Sequence, residues 1–151
     1  MKHKVGDVLK EVTHGIIVHG CNARGVMGGG IAKQVKETYP EVYSKYRILC
    51  IDESFEYSSD LLGCIVPVRV NPNLIIINAI TQDGYGDGRR QVNYDAVAEC
   101  FFRITKDTMF TGLPIHYPMI GAGLGGGNWN IISTIINETL QDRDHTLWTL
   151  K

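Results

Sequence analysis

The apolar positions of this chain repeat with two periods, and each change of period marks a predicted element. Residues 16–18 are an unbroken run of β-branched side chains, which is typical of a strand covered on both faces. From Gly30 onwards the apolar residues Ile31, Val35 and Tyr39 recur at helical spacing, with charged residues between them. We expect this helix to end at Tyr39, because a residue before proline avoids the helical region.

The same reasoning predicts the other elements. Asn71-Pro72-Asn73 is a turn signal between two apolar segments, and Asn93 is suited to cap a helix with an apolar face. Strands are predicted over residues 2–5, 63–70, 74–80, 115–120 and 146–150, and helices over 40–47, over 129–141 and after Asn93. Since strands and helices alternate, the predicted fold class is α/β, with helices on both faces of a mixed sheet.

Two glycine-rich loops each follow a predicted strand and precede a predicted helix. The first contains Gly28-Gly29-Gly30, and the second runs over residues 121–127. Such loops expose backbone N–H groups, and a helix N-terminus adds positive partial charge, so the pattern favours phosphate binding over ordinary tight turns. Two loops favour a pyrophosphate, because they offer N–H groups to two phosphates. No G-x-x-x-x-G-K-[ST] pattern is present, which excludes a P-loop nucleoside triphosphatase.

Length, charge and cysteine content narrow the class of protein. A chain of 151 residues is most simply one domain, and its net charge of -1 argues against a broad nucleic-acid surface. The four cysteines lack zinc spacing, and we interpret them as structural thiols of a reduced compartment. The sequence has no signal-peptide pattern and no apolar run long enough to span a membrane. We therefore expect a cytoplasmic protein with no membrane partner.

Three polar side chains near strand ends are candidates for ligand chemistry. Asp7 follows the first predicted strand, where its carboxylate either accepts a hydrogen bond from a purine amino group or caps a turn. Asn22 offers both a donor and an acceptor to ribose hydroxyls. His19 is either a general acid or base near neutral pH or a buried histidine bonded to backbone.

The glycine-containing loop after the fourth predicted strand carries further candidates. Gln82, Asp83 and Asp87 lie in or beside this loop, which either covers a ligand and supplies an acid or base or is simply solvated. Arg89-Arg90 is either a phosphate clamp or a pair of solvated side chains. The histidines show no metal-ligand spacing, so we expect neither a metal nor a cofactor.

These segments, in this order, resemble a macro domain, the ADP-ribose-binding α/β/α module. Val18-His19-Gly20-Cys21-Asn22 with Met27-Gly28-Gly29-Gly30-Ile31-Ala32 resembles the first ligand loop, and residues 121–127 resemble the loop that wraps the diphosphate and distal ribose. Gly6-Asp7-Val8 is similar to the adenine-recognising G-D-[IVL], and residues 146–150 are similar to a closing strand beside the adenosine. The resemblance implies a three-layer α/β/α sandwich with a mixed central sheet and one domain over residues 1–151.

Within the family, H-x-C-N followed by G-G-G-I-A resembles the branch of yeast-type ADP-ribose-1''-phosphate phosphatases and terminal ADP-ribose glycohydrolases. Those glycohydrolases use a lysine after the I-T of the fourth strand and an aspartate in the second loop, where this chain has Gln82 and Gly125. Other macro-domain hydrolases carry an aspartate just after the first glycine run, where this chain has Ile31 and Ala32. The resemblance therefore implies a metal-independent phosphatase that converts ADP-ribose-1''-phosphate to ADP-ribose and phosphate.

The resemblance also implies residue roles. His19 is the implied proton donor or relay, and Asn22 positions the distal ribose, so these two are the catalytic candidates. The implied ligand is ADP-ribose or its 1''-phosphate, and we expect a monomer without a direct nucleic-acid partner. Three alternatives stay open: a non-catalytic reader of free or protein-linked ADP-ribose, a hydrolase of a mono-ADP-ribosyl or O-acetyl ester, and an unrelated nucleotide-binding domain. The implied ligand-binding residues are Asp7, Val8, Cys21, Asn22, Met27, Gly28, Gly29, Gly30, Ile31, Ala32, Thr81, Gln82, Met119, Ile120, Gly121, Ala122, Gly123, Leu124, Gly125, Gly126, Trp148 and Leu150.

Overall fold

A computed structural model describes residues 1–86 and 88–151, so the candidate loop residue Asp87 lies outside the described residues. The strands are β1 (Lys2–Val5), β2 (Gly15–Asn22), β3 (Ile65–Asn71), β4 (Leu74–Gln82), β5 (Ile115–Tyr117) and β6 (His145–Thr149). The α-helices are α1 (Val8–Glu11), α2 (Gly30–Thr38), α3 (Pro40–Cys50), α4 (Tyr94–Lys106) and α5 (Trp129–Leu140). Single 3₁₀ turns cover Ser58–Leu61 and Thr108–Phe110.

The strands form one mixed sheet with the order β1-β6-β5-β2-β4-β3. The first five strands in this spatial order, β1, β6, β5, β2 and β4, run parallel to one another. Among the described strands, only the edge strand β3 is antiparallel to its neighbour, β4. Five parallel strands therefore end at the same edge of the sheet. Ligands of such sheets bind beyond the carboxyl ends of the strands, so a ligand-binding site is expected at this edge.

Helices cover both faces of the sheet, which confirms the predicted fold class. In β2, Ile16 and Val18 contact the core shared with α4 and α5, while Ile17 between them contacts the core shared with α2 and α3. This alternation places all three apolar side chains in contact with a helical layer. The apolar run at residues 16–18 of β2 follows from the burial of this part of the strand on both faces.

Several predicted boundaries are wrong by a few residues. The strand expected over residues 115–120 ends at Tyr117, because Pro118 has no N–H group to donate to the sheet. Thr81 and Gln82 belong to β4 and not to the loop that follows it. Asp7 and Val8 begin a one-turn helix, α1, that the sequence did not predict, and the Asp7 side chain caps it by accepting a hydrogen bond from the Leu9 N–H at 3.0 Å.

The structure shows no disulfide among the cysteines, all of which lie in the described residues. All four cysteines, Cys21, Cys50, Cys64 and Cys100, carry free thiols. None of the helices in the described part of the chain is both long and apolar enough to cross a membrane.

Candidate functional site

A cleft of about 720 Å³ lies at the carboxyl edge of the sheet, where the loops after β2 and β5 face each other. Fifteen of the predicted site residues line it, so the two glycine loops meet in one cleft. They are Cys21, Asn22, Gly28, Gly29, Gly30, Ile31, Ala32, Thr81, Gln82, Met119, Ile120, Gly121, Gly123, Leu124 and Gly125.

The first glycine loop presents an uncapped helix N-terminus to this cleft. Gly29 precedes α2, and no side chain caps the helix. Among the described residues, the N–H groups of Gly30, Ile31 and Ala32 have no hydrogen-bond partner, whereas the next one, that of Lys33, bonds to the Gly29 carbonyl at 3.3 Å. Three free amides and the positive end of the helix dipole are a suitable site for an anion.

The second glycine loop presents a matching set of amides. Within the described chain, the N–H groups of Gly123, Leu124 and Gly125 have no partner. The loop is itself held rigidly, because the Gly125 carbonyl accepts from the N–H groups of Gln91 and Val92 at 2.8 and 3.1 Å. Amides that are already fixed lose little conformational entropy when an anion binds.

Tyr46 of α3 fixes the first loop, although no sequence motif identifies it as a site residue. Its hydroxyl donates towards the Asn22 carbonyl at 2.7 Å and the Asn22 Oδ1 at 2.8 Å, and it accepts from the Gly25 N–H at 3.1 Å. Asn22 Nδ2 in turn donates to the Val26 carbonyl at 2.7 Å. The hydroxyl of Tyr46 contacts residues more than twenty positions away, so no local sequence pattern pointed to it.

His19 does not reach the cleft, which contradicts the expectation that it donates or relays a proton. Its side chain is fully buried, and Nε2 lies 2.7 Å from Oδ1 of Asn78, the residue that pairs with His19 in the adjacent strand β4. Asn78 Nδ2 donates to the carbonyls of Val42 and Val66, which directs Oδ1 towards His19 and assigns the donor role to His19 Nε2–H. Burial lowers the pKa of His19 to about 4, so the ring is neutral and structural.

Cys21 lines the cleft but is not set up as a nucleophile. Its sulfur lies 3.6 Å from His19 Nε2 within an almost fully buried environment. Burial raises the pKa of the Cys21 thiol well above its usual value, while that of His19 falls. The two shifts oppose formation of a thiolate–imidazolium pair, so Cys21 remains a protonated thiol.

The buried His19 makes the protein less stable in acid. Its pKa is about 4 when folded and near 6.5 when unfolded, so the unfolded chain binds the proton more readily. Stability that is present above pH 6.5 is therefore lost as the pH falls towards 4. Between pH 7 and pH 5 we expect a loss of about 2 kcal/mol, measured as the urea midpoint at each pH.

The matched control for this pH dependence is His19→Gln, which retains an amide donor for Asn78 but does not titrate. Burial also lowers the pKa values of His116 and His145, so a smaller slope of the same sign should remain in the variant. An unchanged slope in His19→Gln would show that His19 is not the group responsible.

The residues predicted to recognise adenine lie at the same edge of the sheet but outside the cleft lining. Asp7 follows β1, and Trp148 lies in β6, the strand next to β1. Gly6 has a positive φ, and a Cβ at this position would lie only 3.2 Å from the Trp148 ring. The glycine therefore lets the backbone before α1 pass close to that ring. Val8, Trp148 and the cleft residue Ile31 contact one apolar cluster, which joins this corner to the cleft.

Four other predicted residues do not line the cleft. Met27 is buried below the first loop, and Ala122 packs against the core of α4 and α5. Gly126 has a positive φ and turns against the backbone of Arg90. Leu150 follows β6 and is largely exposed. These positions shape the loops or the sheet edge.

The end of β4 supplies the polar lining on the other side of the cleft. The Thr81 hydroxyl is buried and has no hydrogen-bond partner among the described residues. Gln82 Nε2 donates to the Gly84 carbonyl at 2.8 Å. Tyr85 also lines the cleft and is half-exposed, although the sequence analysis did not select it.

Asp83 and the arginine pair have other partners. The Asp83 carboxylate accepts from the Ser58 hydroxyl at 2.5 Å and from Arg24 Nε at 3.2 Å, and these groups lower its pKa. Asp83 does not line the cleft, so its local bonds favour the non-catalytic interpretation. The Arg90 guanidinium lies over the Tyr94 ring at 4.6 Å. No group of three or more His, Cys, Asp or Glu side chains within the described ranges is arranged to hold a metal ion.

Proteins of similar sequence include two kinds of enzyme named for reactions on ADP-ribose derivatives. The chain is 29% identical to the ADP-ribose 1''-phosphate phosphatase of Saccharomyces cerevisiae strain YJM789, over 96% of each chain. It is 27% identical to the DNA ADP-ribosyl glycohydrolase of Mycobacterium tuberculosis, over 82% of this chain and 34% of that protein. No protein-family model matches the chain.

Solved structures of similar fold include macrodomains. A Bacteroides thetaiotaomicron protein of unknown function is 30% identical, with a TM-score of 0.85 over 99% of this chain and 97% of that one. A macrodomain protein of Streptomyces coelicolor is 26% identical, with a TM-score of 0.79 over 97% of each chain. Thermosipho africanus DarTG, solved in complex with ADP-ribose, is 19% identical, with a TM-score of 0.72 over 90% of this chain and 38% of that one.

Proposed function

Because this chain is a macro domain of the ADP-ribose-1''-phosphate phosphatase branch, we propose that its cleft binds ADP-ribose and hydrolyses ADP-ribose-1''-phosphate. The observation that carries the proposal is the set of free amides, three from each glycine loop, on residues that line one cleft. Amides of this kind bind the two phosphates of a diphosphate without a cationic side chain.

The strand order supports one orientation of the ligand. The glycine loops follow β5 and β2 in the middle of the sheet, where they would hold the diphosphate. Asp7 follows β1 on one side and would accept from the adenine amino group by its second carboxylate oxygen, since Oδ1 caps α1. The distal ribose then extends towards the end of β4, where Asn22, Thr81 and Gln82 line the cleft.

Catalysis in this site would rest on positioning and charge stabilisation. The amides of the α2 N-terminus and the second loop would stabilise negative charge on the phosphates, and Asn22 would orient the distal ribose. Water is the proposed nucleophile, since Cys21 is a protonated thiol and His19 is buried behind it and does not line the cleft. We propose a reaction without a protein-bound metal and a protein that acts as a monomer.

A specific observation favours a second function, that of a non-catalytic reader of ADP-ribose. None of the described residues that line the cleft is Asp, Glu, His, Lys or Arg. General acid–base catalysis contributes about 10²–10⁴-fold to a typical hydrolysis, and this cleft would forgo that contribution. A site with free amides and no charged or imidazole side chain suits tight binding and at most slow turnover.

Phosphate release decides between these two functions. Purified protein is incubated with ADP-ribose-1''-phosphate, and free phosphate and ADP-ribose are quantified together. The phosphatase predicts equal amounts of both products, with saturation in substrate. Gly125→Ala, prepared identically, controls for contaminating phosphatases and should release about 100-fold less phosphate at substrate concentrations below KM, since its binding is expected to be weaker by that factor. Binding of the substrate without any release would establish the reader, and release of ADP-ribose from an O-acetyl ester instead would establish the other hydrolase.

A further inference from the structure

The Thr81 hydroxyl is a buried polar group that lacks a hydrogen-bond partner among the described residues. Thr81 lies in β4 with no exposed surface, yet its Oγ1 has no partner among the described residues. Buried hydroxyls are nearly always hydrogen-bonded, because the desolvation of an unpaired one is unfavourable. Since Thr81 also lines the cleft, the group that completes its hydrogen bonding is expected to enter from the cleft.

Gly20 leaves a space directly in front of this hydroxyl. A Cβ on Gly20 would lie 3.0 Å from Thr81 Oγ1 and 3.1 Å from Ile120 Cγ2. Gly20 pairs in register with Ala79 of β4, and its φ is not in the left-handed region. The backbone conformation therefore does not require glycine here. What the glycine supplies is room for a small atom beside an unpaired hydroxyl.

The position of this space matches the reactive end of the proposed ligand. The diphosphate would lie between the loops that follow β5 and β2, with the adenine towards β1. The 1''-phosphate, attached to C1'' of the distal ribose, is the part of the substrate furthest from the adenine, so it would lie towards β4. Gly20 and Thr81 belong to β2 and β4, which are neighbours at that end.

We propose that Gly20 and Thr81 form a subsite for one water molecule, and that this water is the nucleophile of the proposed phosphatase. The Thr81 hydroxyl accepts a hydrogen bond from the water, which leaves a water lone pair directed at phosphorus. The water oxygen bonds to phosphorus, the bond between phosphorus and the C1'' oxygen breaks, and one water proton ends on that oxygen. The products are ADP-ribose and phosphate. The catalytic half of this inference rests on the proposed function.

Three variants test the subsite through turnover and binding. Thr81→Val removes the hydroxyl at constant shape and should lower kcat about 100-fold, because a misplaced nucleophile has an effect of that order. Its Kd for ADP-ribose should stay within about threefold, and its Tm should be unchanged or higher, since the lost hydroxyl was unpaired. Thr81→Ser retains the hydroxyl and should restore most of kcat. Gly20→Ala fills the space and should lower kcat as Thr81→Val does.

A crystal structure of the wild-type protein with ADP-ribose separates this inference from the proposed function. We expect an ordered water within hydrogen-bond distance of Thr81 Oγ1, and its loss in Thr81→Val. A ligand oxygen bonded to Thr81, or no atom there at all, would overturn the subsite even if phosphate is released. A weaker Kd with unchanged kcat in Thr81→Val would overturn it too. Absence of turnover with the water present would instead overturn the catalytic role and the proposed function, and leave the subsite.

Discussion

Replacing Gly125 by alanine is expected to weaken ADP-ribose binding about 100-fold. The added Cβ would lie 2.8 Å from the Gly121 carbonyl oxygen and 3.1 Å from its Cα, both of which are backbone atoms. The loop cannot move aside freely, because the Gly125 carbonyl is bonded to Gln91 and Val92. The displaced loop would lose amide bonds to charged phosphate, each of which contributes about 1.5–3 kcal/mol, and 100-fold corresponds to about 2.7 kcal/mol.

Gly123→Ala is the matched control in the same loop. A Cβ on Gly123 would meet no atom within 4 Å, and its φ is not in the left-handed region, so the loop and its thermal stability should be unchanged. Calorimetric titration with ADP-ribose provides the affinities, and the melting temperature reports on the fold. Wild-type affinity in Gly125→Ala would show that the second loop does not hold the ligand.

Replacing Tyr46 by phenylalanine is expected to destabilise the protein by about 3 kcal/mol. The hydroxyl bonds to the Asn22 carbonyl and the Gly25 N–H, and phenylalanine would leave both without that partner inside the fold. Each buried polar group left unpaired costs about 1–3 kcal/mol. In a domain of this size the melting temperature should fall by about 9 °C. Because Tyr46 also fixes the Asn22 side chain, ADP-ribose affinity should fall about tenfold.

Tyr43→Phe on the same helix is the control for the loss of a tyrosine hydroxyl. Tyr43 donates a single hydrogen bond of 3.3 Å to the Gly25 carbonyl, which also accepts from Arg47 at 3.1 Å. Its removal leaves that carbonyl paired, so we expect a loss below about 1 kcal/mol. Equal melting temperatures for the two variants would contradict the role assigned to Tyr46.

Local sequence patterns predicted the parts of the fold and site that depend on neighbouring residues. Three predictions rest on residues that are only a few positions apart in the chain: the apolar run in β2, the helical spacing after Gly30 and the cap at Asn93. The Asn93 side chain does accept from the Ala96 N–H, at 2.9 Å. Because both glycine loops follow parallel strands that are neighbours, their convergence in one cleft also followed from the fold class.

Contacts between residues that are far apart in the chain could not be predicted from local sequence patterns. His19 is neutral because it is fully buried and its Nε2–H bonds to Asn78 in another strand, which is itself bonded to Val42 of α3. Periodicity alone did not separate this case from an exposed catalytic histidine. Thr81 comes directly after the apolar segment 74–80, and its polarity suggested that the strand had ended there. In the structure β4 continues to Gln82 and includes Thr81. The significance of Gly20 became visible only when the position of its absent Cβ was compared with Thr81 and Ile120.

The same geometry explains a departure noted in the sequence. Glycohydrolases of the branch that this chain resembles carry an aspartate in the second loop, where Gly125 stands here. Any side chain at Gly125 meets the Gly121 carbonyl, so this loop conformation admits only glycine. With Gln82 bonded to the Gly84 carbonyl at the other position, the cleft is built around amides and not around an acid–base pair.

The central claim is that the cleft is specific for ADP-ribose, with the diphosphate between the two glycine loops and the distal ribose against Asn22 and the end of β4. Calorimetric titration of the wild-type protein with ADP-ribose, ADP and ATP tests this claim most directly. We expect saturable one-to-one binding of ADP-ribose that is at least about tenfold tighter than binding of ADP or ATP, because only ADP-ribose has a distal ribose to place against Asn22 and the end of β4. Equal affinity for the three nucleotides, or no binding of ADP-ribose, would contradict it.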